Sequence, residues 1–178
     1  QERRVALVVG ANAYQQLDGL GNAVADATAL AARLRAIGAH VILVTDPTHD
    51  SFLKALDRFE SELRGASLGL FYFAGHAVEI DGANLLLPVD TPRTSRPWQI
   101  RTAGIPARDV ILEMQKRVAR LVVVLDACRD NPLPREPGQR GTAADKRGLT
   151  PIELPPAAAA TRPDDDSGTY IVFATEPG

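Results

Sequence analysis

The sequence is poor in the residues that build covalent or metal-bound frameworks. It has one cysteine among 178 residues, so it can form no internal disulfide. It also has no CxxC pair and no Cys/His cluster with the spacing of a zinc site. Its longest apolar runs, such as LVVVL at 121–125, are much shorter than the roughly 20 residues of a membrane-spanning helix. A disulfide scaffold, a structural zinc and a transmembrane helix are therefore excluded, and the lone thiol of Cys128 needs another explanation.

An excess of charge of one sign is also lacking. The chain has 20 basic and 22 acidic residues, so no basic field draws it to a phosphate backbone, and nucleic acid is not expected as a partner. The hydrophobic fraction of 45% and the charged fraction of 24% are ordinary values, which exclude disorder throughout and fibrous repeats. The chain is predicted to form one globular domain.

Short apolar runs alternate with helical patterns along the chain. The predicted strands are residues 4–10 (RVALVVG), 40–45 (HVILVT), 68–74 (LGLFYFA), 121–125 (LVVVL) and 169–174 (TYIVFA), and the predicted helices are 22–37, 51–64 and a segment that starts at Pro106. Right-handed crossovers place helices on both faces of a parallel sheet, so this order predicts a three-layer α/β fold.

Two segments interrupt this alternation. Residues 78–80 and 85–89 flank the Asp81-Gly82 pair, which tolerates positive φ, so a tight hairpin is predicted after the third strand. Residues 129–168 hold seven of the thirteen prolines, an alanine run and three consecutive aspartates. This composition predicts a mobile surface loop.

A histidine and the cysteine follow two of the predicted strands. His76 comes after the third strand in FYFAGHAVE, and Cys128 comes after the fourth in VVVLDACRD. Ligands gather at the carboxyl ends of parallel strands, so both side chains lie at one edge if these strands are neighbours. A thiol beside an imidazole is the arrangement of nucleophilic acyl transfer and predicts a cysteine protease. The alternative is a thiol buried only for packing and a histidine that is merely hydrogen-bonded.

The residues around this pair resemble those of the caspase-like peptidases (peptidase C14 type), in particular the bacterial metacaspases or orthocaspases. The matching motifs are DAC at 126–128, RVALVVGANAY at 4–14, NAVADA at 22–27, FAGH at 73–76, LLLPVD at 85–90 and FAT at 173–175. The resemblance spans nearly the whole chain. It implies a caspase-like fold, with a mostly parallel central sheet, helices on both faces and a hairpin insertion after the third strand.

The resemblance also implies roles for individual residues. His76 is the expected general acid and base, Cys128 is the expected nucleophile, and the backbone N–H groups of Cys128 and Ala77 are the expected oxyanion hole. Family members usually have glycine at the position of Ala77, and an alanine serves there only where the backbone does not need positive φ. Arg129-Asp130-Asn131 follows the cysteine, where metacaspases commonly have a serine-glycine pair.

Two acidic residues predict the substrate class. Asp26 lies in NAVADA, and Asp126 lies two residues before the cysteine, where metacaspases also have acidic residues. Two carboxylates that face one pocket attract a guanidinium or an ammonium group, so peptide or protein substrates cleaved after Arg or Lys are expected. The alternatives are a solvated helix residue for Asp26 and a strand-end hydrogen-bond acceptor for Asp126.

The proline-rich loop carries candidate sites of self-cleavage. They are Arg140, Lys146, Arg147 and Arg162. Exposed, flexible stretches are where proteolytic nicking concentrates, so self-processing in this loop is one hypothesis and an unprocessed linker is the alternative.

No metal and no cofactor are expected. Some metacaspases bind calcium through acidic residues, part of which follow the hairpin, and this chain reads TPRTSRPWQIRTAG there, at 91–104. The same resemblance favours a monomer. Because Gln1 stands first, an exported or periplasmic location is expected if it is a mature N-terminus, and a cytoplasmic one otherwise.

Caspase-like domains usually continue past the FAT strand with a further helix and strand. Residues 1–178 are therefore interpreted as a catalytic domain whose C-terminal part is missing. The large-subunit core runs to residue 128, a linker occupies 129–168, and the first small-subunit strand occupies 169–175.

The sequence has three other interpretations. A nucleotide-binding domain is disfavoured because Gly10, Gly19 and Gly21 do not form GxGxxG. A receiver-type domain explains Asp126 but not the histidine and cysteine together. A caspase-fold binding or scaffold module that has lost activity is the main alternative to a peptidase.

Overall fold

The computed structural model describes residues 2–127, 131–134, 149–154 and 168–174. The strands are β1 (Arg4–Gly10), β2 (His40–Thr45), β3 (Leu68–Gly75), β4 (Ala77–Ile80), β5 (Ala83–Leu86), β6 (Ile105–Pro106), β7 (Arg120–Ala127) and β8 (Gly168–Ala174). The helices are α1 (Ala23–Ala36), α2 (His49–Leu63), α3 (Pro97–Ala103) and α4 (Ala107–Gln115). Cys128 and the four candidate self-cleavage residues lie outside the described residues, so their predicted roles stay predictions.

Five strands form one parallel sheet in the order β2-β1-β3-β7-β8. Successive side chains of a strand point to opposite faces, so the continuous apolar runs of β1 and β3 place apolar side chains on both faces of the sheet. Leu7 and Phe71 join the core that packs against α2 and α4, whereas Val8 and Tyr72 pack against α1. The predicted three-layer α/β fold, with helices on both faces of a parallel sheet, is confirmed.

The predicted hairpin after the third strand is present, and it belongs to a second, smaller sheet. Strands β4 and β5 pair antiparallel across Asp81 and Gly82, and β6 adds to β5. Asp81 has φ 52° and Gly82 has φ 81°, which is the type I′ geometry that suits two-residue hairpins. The second strand was predicted at 85–89, but β5 starts earlier and ends at Leu86.

Gly10 ends β1 where α1 crosses the sheet. A Cβ atom at this position would lie 2.6 Å from the carbonyl oxygen of Ala23 and 2.8 Å from the Cβ of Ala27. Glycine is therefore needed for close packing of the helix on the strand, which explains a glycine between a strand and a helix without any phosphate to bind.

Helix α2 begins at His49, two residues before its predicted start. The Thr48 hydroxyl accepts the N–H of Ser51, and the Asp90 carboxylate accepts the N–H of His49 at 2.8 Å. These bonds satisfy N–H groups that the first turn of a helix leaves free. Asp90 comes from the LLLPVD motif, so one role of that motif is to cap α2.

Part of the predicted linker packs against the core. Leu149, Ile152 and Leu154 contact the buried cluster on the α2 and α4 face. The Asn84 side chain donates to the carbonyl of Thr150 at 2.6 Å and accepts the N–H of the same residue at 2.9 Å. Residues 149–154 are thus held on the small sheet by side-chain packing and by a paired amide contact.

Candidate active site

The strands that precede the histidine and the cysteine in the sequence are neighbours. β3 pairs in parallel with β7, and Gly75 lies opposite Ala127 in their register. His76 directly follows Gly75, and Cys128 directly follows Ala127 in the sequence. The arrangement of strands on which the His76 and Cys128 hypothesis depends is therefore present, although Cys128 itself lies outside the described residues.

The imidazole of His76 is buried and oriented by a backbone carbonyl. The side chain is 6% exposed, and its Nε2 lies 2.8 Å from the carbonyl oxygen of Asp18. A carbonyl oxygen only accepts, so Nε2 carries the proton and Nδ1 holds a free electron pair in the neutral ring. Nδ1 is buried and has no hydrogen-bond partner among the described residues. The ring is therefore set up to accept a proton at Nδ1.

The environment of His76 keeps its ring neutral. Burial lowers the pKa of His76 below its usual value, and the hydrogen bond to Asp18 together with the charge of that residue opposes the shift without cancelling it. A neutral imidazole at physiological pH is the form that can act as a general base.

The lowered pKa of His76 gives the fold a defined pH dependence. A histidine that is buried in its neutral form contributes stability above its unfolded pKa of about 6.5, and that contribution is lost as the pH falls through the lower folded pKa. We expect urea unfolding to show a steeper loss of stability between about pH 7.5 and about pH 5 for the wild type than for His76→Gln. If the wild type instead gains stability relative to His76→Gln as the pH falls over this range, folded His76 is charged.

The backbone N–H of Ala77 lies at an open strand edge. The N–H of Leu87 donates to the carbonyl of His76 at 2.9 Å, and hydrogen-bonded pairs alternate with open pairs along an antiparallel ladder. The next pair, Ala77 with Leu86, is therefore open, and the N–H of Ala77 points away from β5. Within the described residues, the only non-glycine residues with positive φ are two aspartates, so Ala77 has the negative φ that an alanine adopts without strain.

Tyr72 and two aspartates form an acidic group on the α1 face of the sheet. The Tyr72 hydroxyl donates to Oδ2 of Asp126 at 3.1 Å. Burial raises the pKa of Tyr72, and the charge and hydrogen bond of Asp126 and the charge of Asp26 raise it further. Asp26 is exposed on the first turn of α1, and Asp126 is partly buried near the end of β7. The two aspartates that the sequence singled out thus act on one tyrosine.

Three residues near His76 and Asp126 were not predicted as site residues. Tyr72 holds Asp126, Asp18 holds the ring of His76 through its carbonyl, and Tyr14 holds the backbone of His76. Tyr14 and Tyr72 each lie in a motif, GANAY and LFYFA, and a hydroxyl in a buried apolar segment is a signal that could have found them. Asp18 has no such signal, because its contribution is a backbone oxygen that any residue type provides.

The described residues contain neither a metal-binding cluster nor a membrane-spanning helix. In the part of the chain that the structure describes, no group of three or more His, Cys, Asp or Glu side chains stands close enough to hold a metal ion. No helix of that part combines the length and the apolar character of a membrane span.

Comparison with known protein families shows which family this chain belongs to. The sequence matches the profile of the peptidase C14 caspase domain over residues 3–178. The chain belongs to the caspase domain family. The resemblance to the caspase-like peptidases is thereby confirmed, and membership of this family supports a cysteine-type peptidase.

Two mammalian proteins match part of this chain in sequence. The chain is 29% identical over 126 residues to mucosa-associated lymphoid tissue lymphoma translocation protein 1 of Homo sapiens and to its homolog of Mus musculus. The match covers 71% of this chain but only 15% of each relative's length. The similarity therefore concerns one region of much longer proteins.

Two solved structures are similar to this chain in fold, and one of them is a caspase. The Drosophila initiator caspase Dronc superposes with a TM-score of 0.53 at 12% identity, covering 68% of this chain and 47% of Dronc. Protein GSU0716 of Geobacter sulfurreducens superposes with a TM-score of 0.54 at 17% identity, covering 71% of this chain and 50% of that protein. At these identities the likeness supports the fold and not a shared activity.

Proposed function

We propose that this caspase domain is a cysteine endopeptidase that cleaves after Arg or Lys with Cys128 as nucleophile and His76 as general acid and base. The observation that carries the proposal is the state of His76. Its ring is 6% exposed, Nε2 is tied to the carbonyl of Asp18, and Nδ1 lacks a partner among the described residues, next to the strand that leads into the cysteine. A base prepared at one nitrogen, next to a strand that is followed in the sequence by a lone cysteine, suits acyl transfer.

The proposed reaction has two halves. The thiol of Cys128 gives its proton to Nδ1 of His76, and the thiolate attacks the carbonyl carbon of the scissile peptide bond. The negative charge that forms on the carbonyl oxygen is met by the backbone N–H groups of Ala77 and Cys128. The C–N bond then breaks, and the leaving amine takes the proton from Nδ1. Water, deprotonated by His76, hydrolyses the thioester and frees the thiol.

The acidic group of Tyr72, Asp126 and Asp26 is the basis for the proposed specificity, in which the residue on the acyl side of the cleaved bond (P1) is basic. Asp126 lies near the carboxyl end of β7, close in sequence to the nucleophile, and Asp26 is near enough to influence Tyr72 from α1. Two carboxylates there attract a guanidinium, which makes stronger bidentate contacts with carboxylate than an ammonium does. Arg is therefore expected to exceed Lys as a substrate, and Asp is expected to be rejected.

A set of fluorogenic peptides that differ only at P1 tests the proposal. With Arg, Lys, Gln and Asp at P1, we expect hydrolysis in the order Arg, Lys, then Gln, and none after Asp. A peptidyl-arginine chloromethyl ketone should label the protein once, on the peptide that contains Cys128. Preference for Asp would contradict the specificity, and absence of both hydrolysis and labelling would favour a binding module without activity.

The finer assignments remain predictions. Membership of the metacaspase or orthocaspase subgroup, a bacterial origin and a monomeric state come from sequence motifs alone. Self-processing at Arg140, Lys146, Arg147 or Arg162 falls outside the described residues.

A further inference from the structure

We propose that Tyr14 is a positioning residue for His76, acting through a hydroxyl that is inserted between two strands and through a ring that packs on the imidazole. The inference rests on the proposed function, because it concerns how the proposed base is held. Tyr14 belongs to the GANAY segment after β1 and is 8% exposed.

The hydroxyl of Tyr14 replaces one backbone hydrogen bond at His76. The N–H of His76 donates to this hydroxyl at 2.8 Å, and the hydroxyl donates to the carbonyl of Leu87 at 3.0 Å. On the other side of the same pair, the N–H of Leu87 donates directly to the carbonyl of His76 at 2.9 Å. In an ordinary hydrogen-bonded pair both bonds are direct. Tyr14 therefore widens the ladder on one side only, at the residue that carries the imidazole.

The insertion of the Tyr14 hydroxyl affects both the proposed base, His76, and the proposed oxyanion donor, the N–H of Ala77. The N–H of His76 is used by Tyr14, so it is not available to a substrate, and the following N–H, that of Ala77, is the one left at the open edge. The direction in which the chain leaves β3 also sets where the ring of His76 can lie. A single hydroxyl thus orients the base and selects the oxyanion donor.

The ring of Tyr14 restricts the imidazole from the side. The two ring centroids are 4.5 Å apart, with an angle of 50° between the planes. The residue before the histidine is shaped for this contact, since a Cβ atom at Gly75 would lie 2.8 Å from the Tyr14 hydroxyl oxygen. The glycine of the FAGH motif therefore leaves room for the hydroxyl as well as ending the strand.

The segment that carries Tyr14 is itself anchored and also supplies Asp18. The Asp46 carboxylate accepts the N–H groups of Asn12 and Ala13 at 2.7 and 2.9 Å, and the N–H of Gln15 donates to the carbonyl of Val89 at 2.8 Å. Tyr14 and Asp18 thus hold His76 at three points, its backbone N–H, its ring face and Nε2. Residues 12–18, anchored in this way, support the imidazole.

Histidine NMR and kinetics on Tyr14→Phe test this role, and Tyr170→Phe, at a side chain that is 60% exposed, is the matched control. The chain has three histidines, so the His76 signals can be assigned with His76→Gln. For the wild type we expect the tautomer with the proton on Nε2 and a slowly exchanging Nε2–H signal. Tyr14→Phe should lose that signal and shift the His76 titration midpoint toward that of an exposed histidine. It should also lower kcat by about 10- to 100-fold with KM nearly unchanged, because the base is displaced while the substrate pocket is intact.

The outcomes separate this proposal from the proposed function. If the wild type hydrolyses no peptide, the proposed function fails, while the NMR arm still tests Tyr14. Wild-type tautomer, titration midpoint and kcat in folded Tyr14→Phe would overturn the positioning role. If that variant does not fold, Gly75→Ala replaces it, because its added Cβ pushes on the same hydroxyl. Unchanged His76 signals in Gly75→Ala would likewise overturn the proposal. Because the added Cβ would lie equally close to Cζ of Phe73, the supporting result is His76 signals that are displaced in Gly75→Ala and also in Phe73→Leu/Gly75→Ala.

Discussion

Cys128→Ala and His76→Gln are each expected to lower kcat/KM on an Arg peptide by at least about 10³-fold, and the double variant is expected to lose no more than either single variant. The reason is that the thiol and the imidazole act as one unit. Without Nδ1 the thiol is not activated, and without the thiol there is nothing for Nδ1 to deprotonate. The single variants therefore remove the same step, and their effects overlap instead of multiplying.

The comparison needs a histidine control and a folding control. His40→Gln, at an imidazole on the exposed start of β2, should keep wild-type kinetics. Circular dichroism and urea unfolding establish that each variant is folded before its rate is interpreted. If the loss in the double variant equals the product of the two single losses, the two residues act independently and the proposed pair is wrong.

Asp126→Asn is expected to have the second largest effect, and the effect should depend on the substrate. The hydrogen bond of a carboxylate to a charged guanidinium stabilises a complex by about 1.5–3 kcal/mol, so kcat/KM on an Arg peptide should fall by about 10- to 150-fold. The Gln side chain is uncharged, so removal of the Asp126 charge should change the rate of hydrolysis of a Gln peptide little. The ratio of Arg to Gln hydrolysis is the measurement that isolates this effect from a general loss of activity.

Two variants define what the Asp126 result means. Asp109→Asn removes a carboxylate on the first turn of α4 and should leave the ratio unchanged. Tyr72→Phe removes the hydroxyl bonded to Asp126 but keeps the negative charge, so it should lower the ratio less than Asp126→Asn does. An Arg to Gln ratio that survives Asp126→Asn would place the recognition of the basic side chain elsewhere.

Four of the five parallel strands could be predicted from the sequence to within one residue, whereas β7 is three residues longer than the predicted 121–125. β1 and β2 have the predicted bounds, and β3 is longer by Gly75 alone. Strands that are buried on both faces need continuous apolar runs, and such runs are easy to see in a sequence. The change from helix to strand is also marked, because Gly38 and Gly65 adopt positive φ just after α1 and α2.

The elements around the hairpin could not be predicted in the same way. Helix α3 has seven residues, of which only Ile100 is buried, so it shows no apolar periodicity. β6 is a two-residue strand that exists only through its pairing with β5. Residues 87–89 are apolar like a strand, yet β5 ends at Leu86, because the Tyr14 hydroxyl replaces one of the two backbone hydrogen bonds between His76 and Leu87 and Pro88 has no N–H to donate. Contacts between distant segments, and not local preference, decide these three cases.

By itself, the sequence determined the layered α/β fold, the family and the candidate chemistry of His76 and Cys128. Each of these depends on side-chain type and on spacing along the chain. Only the tertiary structure decided which nitrogen of His76 is free, which N–H of the hairpin stays at the open edge, and which hydroxyl holds Asp126. The physical reason is that these features arise where segments more than 50 residues apart meet, such as Asp18 with His76 and Tyr72 with Asp126, and the first two depend on backbone carbonyls and amides. Backbone groups are the same in every residue, so only the folded chain can show where they meet.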